Sequence, residues 1–183
     1  HNCFREGVTV NCANDLDEDT TIGSHNLLMA CSHVAHNCHV GDRVILVNGA
    51  LLAGHVTVGD RAVISGNALV HQFVRVGTLA MMQGGTGISK DLPPYTVAWG
   101  VNRICGLNSV GVRRAGLTVE ERLELKALYH RLFRSGLTLR RALEAARSEF
   151  TSPVARVLIE FITASKRGVC ADRRERGTCE DSD

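Results

Sequence analysis

Stepping six residues at a time from Ile22 lands on an aliphatic side chain at every stop: Leu28, Val34, Val40, Leu46, Leu52, Val58, Ile64, Val70, Val76, Met82 and Ile88. A period of six matches neither the 3.6 of an amphipathic helix nor the alternation of an ordinary strand. Self-similarity at a fixed period decides the architecture. This one predicts a parallel β-helix in which each hexad supplies a short flat side and the corner after it. A slower period is superimposed. Glycine follows the aliphatic at Gly23, Gly41, Gly59 and Gly77, a spacing of 18, and Gly41-Asp42-Arg43 recurs as Gly59-Asp60-Arg61. Three sides of six residues make one triangular coil, with one corner in three taking a glycine that accepts φ > 0. Successive coils then stack at the strand spacing of about 4.8 Å.

Outside this run the pattern changes. Val8-Thr9-Val10 reads as part of an earlier coil, and the acidic run Asp15-Leu16-Asp17-Glu18-Asp19 breaks the period as a loop out of the prism. Asp91-Leu92-Pro93-Pro94-Tyr95 ends the period, because two prolines cannot donate to a ladder. Tyr95 to Gly100 reads as a last strand or cap. The rest is helical. Thr118-Val119-Glu120-Glu121 is a capping box opening a helix whose inner face is Leu123, Ala127, Leu128, Leu132 and Phe133. A second helix is expected from Thr138 to Phe150. Ser152-Pro153 starts a third, carrying Val157, Leu158, Phe161 and Ile162 as far as Gly168. The expected organisation is a β-helix over 1–100, a helical unit over 101–168 and a disordered polar tail over 169–183.

Composition sharpens this picture. The 183 residues are 44% hydrophobic but only 4% aromatic, and Phe73 is the one Phe, Tyr or Trp between Ile22 and Ile88. A narrow prism has room for Val, Leu and Ile inside and little for rings. The net charge of +2 removes the electrostatic case for a nucleic-acid binder. No stretch reaches the 18 apolar residues a membrane span needs, nor is there a basic-then-apolar leader, so a cytoplasmic protein is expected. Seven scattered cysteines without a CxxC pair argue for reduced thiols. The chain opens on His1 directly inside patterned sequence, as a piece that has lost its beginning would.

Residues with the same number modulo 18 stack. His36, Gly54 and Gln72 share one line, with His55 and His71 one residue to either side. This stripe of histidines climbs one edge of the prism and marks a candidate cleft. Metal binding, general-base catalysis by imidazole and a plain polar surface all remain open to it. His33, His36 and His39 look ligand-rich, but they turn through half a coil and cannot all face one point.

The segments around these residues resemble bacterial UDP-N-acetylglucosamine acyltransferases of lipid A biosynthesis. The resemblance is carried by Met29 through Cys38, Leu52-Ala53-Gly54-His55-Val56, Leu69-Val70-His71-Gln72-Phe73, Asp91-Leu92-Pro93-Pro94-Tyr95, and Gly106-Leu107-Asn108 through Arg113-Arg114. It implies a left-handed parallel β-helix, a homotrimer with sites between subunits, and a C-terminal helical part. The implied reaction moves a 3-hydroxyacyl group from acyl carrier protein to the 3-hydroxyl of UDP-N-acetylglucosamine, with no cofactor and no metal. In that reading His36 is the general base and the Gly54 N–H faces the thioester oxyanion. His33, His55, His71 and Gln72 line the substrate cleft. Asn108 and Arg114 stand near the nucleotide, and Met81 and Gly84 in the region that measures the acyl chain. Arg113, Arg114, Arg131, Arg134, Arg140 and Arg141 would attract the acidic carrier protein.

The chain departs from the family pattern in places. The family's N-terminal coils fall outside it, Val110 replaces a Glu, and Asn37 stands where an Asp commonly neighbours the base. Restoring that charge by Asn37→Asp is therefore expected to raise activity. Two other functions compete: a non-catalytic hexapeptide trimer that only binds a partner, and a zinc protein of the γ-class carbonic anhydrase type. The second needs histidines five apart on a coil, and no two here are so spaced.

Overall fold

A computed structural model describes residues 1–172. Two-residue strands recur every six residues from Thr21–Ile22 to Gly87–Ile88. As far as Leu69–Val70 each pairs in parallel with the strand 18 residues on, as Leu27↔Ile45, Ile45↔Val63 and Val63↔Met81 do on one face. Among the described residues the strands form three sheets, one per side of the triangle, so the chain is the expected parallel β-helix. Cys3–Phe4 and Thr9–Val10 pair with strands 24 residues on, at Leu27 and His33, so an earlier coil exists and is six residues longer than the rest.

The interior is a set of vertical columns. Leu28, Leu46, Ile64 and Met82 form one, and Val34, Leu52, Val70 and Ile88 another, each at most 3% exposed. Burying one such side chain stabilises the fold by roughly 1.5–3 kcal/mol. The narrower corners take Ala50 and Ala68, or Ala62 and Ala80, all fully buried.

The glycines of the slower period serve a purpose other than the expected one. Gly23, Gly41, Gly59 and Gly77 do not have positive φ; the residues two further on, His25, Arg43, Arg61 and Leu79, do. A side chain at Gly59 would instead put its Cβ 2.6 Å from the Thr78 backbone nitrogen one coil up. Close approach of neighbouring coils, not turn conformation, excludes Cβ here.

Above the prism, Thr96–Trp99 continues one sheet in parallel with Met81–Met82, and Arg103–Leu107 returns antiparallel to it. The helices are α1 (Ser109–Arg114), α2 (Val119–Phe133), α3 (Leu139–Glu149) and α4 (Pro153–Thr163). The capping box of α2 forms as read, and Ser152 caps α4. The buried stripe of α2 is Leu125, Leu128, Tyr129 and Leu132, whereas Leu123 is 61% exposed and Ala127 faces solvent. Leu128, Leu132 and Phe133 face inward as read, while Leu125 and Tyr129 take the places expected of Leu123 and Ala127, and Tyr129 packs with Phe133 on the prism. In α4, Val157 is likewise exposed, while Ala155 and Ile159 join Leu158 and Ile162 inside.

The expected tail also needs correcting. Val169 and Cys170 are buried, and Ala171–Asp172 pairs with Arg103–Ile104, because Asp172 accepts bonds from Tyr129 and Arg134. Residues 173–183 lie outside the described residues.

Asp91 joins the two parts. Its buried carboxylate accepts from Arg75 Nε at 3.0 Å and Nη2 at 2.8 Å, from the Arg75 backbone N–H, and from Ser165. Its backbone bonds to Gly168 and Cys170. The Arg75 guanidinium also donates to the Phe161 carbonyl and lies over that ring.

Candidate functional site

The histidine stripe occupies the corner between the His33 side and the His39 side of the triangle. Corner residues Asn37, His55 and Phe73 adopt positive φ, which turns the chain from one sheet to the next. The backbone ladders upward, His55 N–H donating to the His36 carbonyl and Phe73 N–H to that of Gly54. These turns hold the rings together: His36 meets His55 edge-on at 5.2 Å between centroids, and His55 stacks on Phe73 at 4.5 Å.

The His36 ring lies directly against Gly54. A Cβ at that position would fall 2.6 Å from His36 Nε2, so only glycine lets the imidazole sit there. The Ala53 and His55 N–H groups are bonded to the Val70 and His36 carbonyls, while among the described residues no acceptor faces the Gly54 N–H. A half-buried imidazole beside an open backbone donor can take a proton from a hydroxyl and stabilise a developing oxyanion.

The other ring nitrogen is held firmly. His36 Nδ1 is 2.7 Å from Asn37 Oδ1, which also accepts from the Asn14 N–H at 3.2 Å. The Asn37 Nδ2 donates to the Glu18 carboxylate, and the Asn37 N–H to Thr20 Oγ1 at 2.8 Å. A backbone N–H can only donate and a carboxylate only accept, so the amide has one orientation. Its oxygen faces His36, so in the neutral ring Nδ1 carries the proton and Nε2 is the open nitrogen.

The remaining expected residues divide. His33 lies one side strand away, bonded to Thr9 Oγ1 at 2.7 Å, and lines an apolar groove with His71, Leu51 and Leu69. Gln72 is exposed at the head of the stripe. Met81 and Gly84 stand on a different side and corner of this prism, away from His36. Asn108 caps α1 by accepting from Gly111, and its amide donates to the Leu79 carbonyl, so both ends of its side chain are engaged within the chain. Arg114 is exposed on α1. The expected basic surface is partly neutralised, since Arg131, Arg134 and Arg140 face Glu149, Asp172 and Glu144.

Cys38, next to Asn37, points into the core, and burial pushes its thiol up, away from thiolate chemistry. Among the described residues no group of three or more His, Cys, Asp or Glu is placed to hold a metal ion, and no helix is long and apolar enough to cross a membrane. Asn14, Glu18 and Thr20 escaped the sequence reading. They lie in the insertion that breaks the period, where counting modulo 18 no longer places residues.

Known proteins resemble the chain in sequence and in fold. Residues 91–170 match the family described as UDP-N-acetylglucosamine O-acyltransferase, domain 2, and residues 19–54 match the bacterial transferase hexapeptide repeat. The chain is 53% identical over 169 residues to an acyl-[acyl-carrier-protein]–UDP-N-acetylglucosamine O-acyltransferase of Rippkaea orientalis, covering 92% of this chain and 61% of that protein. It is 46% identical to the Syntrophobacter fumaroxidans protein of the same name, covering 92% and 67%. The solved UDP-N-acetylglucosamine acyltransferase of Francisella novicida superposes with a TM-score of 0.88 at 36% identity, covering 93% of this chain and 64% of that one. The chain spans about 60% of the length of the first curated relatives it matches.

Proposed function

The chain belongs to the UDP-N-acetylglucosamine O-acyltransferase family, and from that membership we propose that it transfers a 3-hydroxyacyl group from acyl carrier protein to the 3-hydroxyl of UDP-N-acetylglucosamine, the first step of lipid A biosynthesis. The observation that carries the reading is the His36 imidazole lying against Gly54 with its Nδ1 bonded to Asn37. His36 Nε2 removes the proton as the sugar oxygen attacks the thioester carbonyl. The Gly54 N–H stabilises the tetrahedral oxyanion, which collapses to the ester and releases the carrier thiolate; that thiolate takes the proton from His36.

His33, His55, His71 and Gln72 line the cleft in this proposal. Arg114, at the far end of the helix that Asn108 caps, faces the nucleotide phosphates, and Met81 and Gly84 bound the acyl chain contributed across a subunit interface. We place that arrangement in a homotrimer, expected in the cytoplasm, for which the exposed Leu51, Leu69 and Val101 supply an apolar face.

The test is acyl transfer with a 3-hydroxyacyl carrier-protein thioester and UDP-N-acetylglucosamine. His36→Ala should lower kcat by about 10²–10⁴ with little change in KM. Unchanged turnover in that variant would move the base to His33. A folded, trimeric wild-type chain without turnover would instead favour a module that only trimerises or binds the carrier.

A further inference from the structure

We propose that Glu18 is a positioning residue for the base: through the Asn37 amide, its carboxylate holds His36 with Nδ1 protonated and Nε2 open. The proposal rests on the reading of His36 as the base, and its geometry stands apart from that reading.

The carboxylate expected next to the imidazole is absent from position 37, yet the corner has one. The six-residue insertion between Thr9–Val10 and Thr21–Ile22 brings Glu18 onto Asn37 Nδ2, and Asn37 passes the interaction to His36 Nδ1. Among the described residues, no other hydrogen bond connects Glu18 to the prism side chains of this corner. Asn37 suits the intermediary role on three counts. It is only 3% exposed, it tolerates its φ of +60°, and its backbone N–H is tied to Thr20. Without Glu18 the amide loses the acceptor that fixes Nδ2, and its two ends become closer in energy. A flipped amide would present N–H to Nδ1, and the imidazole would then place its proton on Nε2, the wrong nitrogen for a base.

The same geometry argues against the expectation that Asn37→Asp improves the enzyme. An aspartate there would set a buried carboxylate in contact with that of Glu18, where like charges are costly. The charge belongs at one of the two positions, so Asn37→Asp should help only when Glu18→Gln is made with it.

The experiment is long-range ¹H–¹⁵N NMR of the histidine rings in the full chain, with steady-state kinetics alongside. In the wild type the His36 resonances should report the Nδ1–H tautomer. In Glu18→Ala they should shift toward Nε2–H, and kcat should fall about threefold to tenfold, a fraction of what a positioned base supplies, with KM for both substrates within about twofold. Asn37→Asp should fall below wild type, and Asn37→Asp with Glu18→Gln should recover most of the loss. Glu18 is solvent-exposed, so its replacement should leave the fold intact. An unchanged His36 tautomer in Glu18→Ala overturns the proposal, as does an Asn37→Asp single variant that matches or exceeds wild type. The spectra need no substrate. A tautomer shift in a chain without turnover would therefore sustain the positioning role while refuting the acyltransferase reading.

Discussion

The coils from Leu27 to Ile88 and the segment from Asp91 to Asp172 are held together by opposite means. In the coils, each interior side chain packs on its own repeat above and below, as Leu28, Leu46, Ile64 and Met82 do, and the polar cohesion is supplied by backbone ladders. Beyond Asp91 the structure depends on contacts that occur once. Asp91 gathers Arg75 and Ser165, Asn108 ties α1 to Leu79, and Asp172 joins Tyr129 to Arg134. A repeat distributes stability over equivalent positions, whereas an aperiodic cap concentrates it in a few. The candidate site falls where the two regimes meet in miniature: a regular corner into which an irregular insertion delivers Glu18.

The sharpest way to break this comparison is at Asp91. Its carboxylate is 2% exposed while the Arg75 side chain is 30% exposed. Asp91→Ala leaves the Arg75 guanidinium, the Arg75 backbone N–H and the Ser165 hydroxyl short of an acceptor. Removing one partner of a buried pair costs about 3–5 kcal/mol, to be read from the urea midpoint at constant slope. A loss below about 1 kcal/mol, the scale of an exposed pair, would mean the junction is carried by apolar packing instead.

Which features the sequence revealed follows from the same division. The period of six identified the prism, its three sides and the columns, because each position repeats the physical demand made 18 residues earlier. It also aligned His36, Gly54 and Gln72, since a corner is as periodic as a side. It misread Gly23, Gly41, Gly59 and Gly77 as left-handed turn residues, because spacing shows where Cβ is excluded without showing whether φ or a neighbouring coil excludes it. It could not pair Glu18 with Asn37, Asp91 with Arg75, or Asp172 with Arg134. Each of those pairs involves at least one residue outside the period, and composition alone offers several equivalent partners. The α2 face was misjudged at Leu123 and Ala127 for a related reason: which stripe is buried depends on what α2 packs against.

Within the coils, the comparison predicts equivalence. Leu46 and Ile64 are both fully buried neighbours in one column. Leu46→Ala and Ile64→Ala should each cost about 2–5 kcal/mol, agreeing with one another within roughly 1 kcal/mol. Paired denaturation curves measure this. A larger disparity would show that the prism is stabilised unevenly along its axis despite its uniform backbone.

The smallest expected effect carries the opposite sign. The column Ser32, Ala50, Ala68, Thr86 lines one interior corner, and its two middle members are apolar and fully buried. At its ends the Ser32 and Thr86 hydroxyls are buried, and among the described residues neither has a hydrogen-bond partner. An unmade bond of this kind costs about 1–3 kcal/mol. Ser32→Ala copies the residue found one coil up and removes only the oxygen, so little cavity is left to offset the gain. Thr86→Ala would also delete a methyl and is the poorer test. Ser32→Ala should therefore stabilise the chain by about 1 kcal/mol, raising the urea midpoint without altering the slope. A destabilisation of that size would instead mean that a buried water satisfies the hydroxyl, and that this corner of the prism is wider at Ser32 than at Ala50.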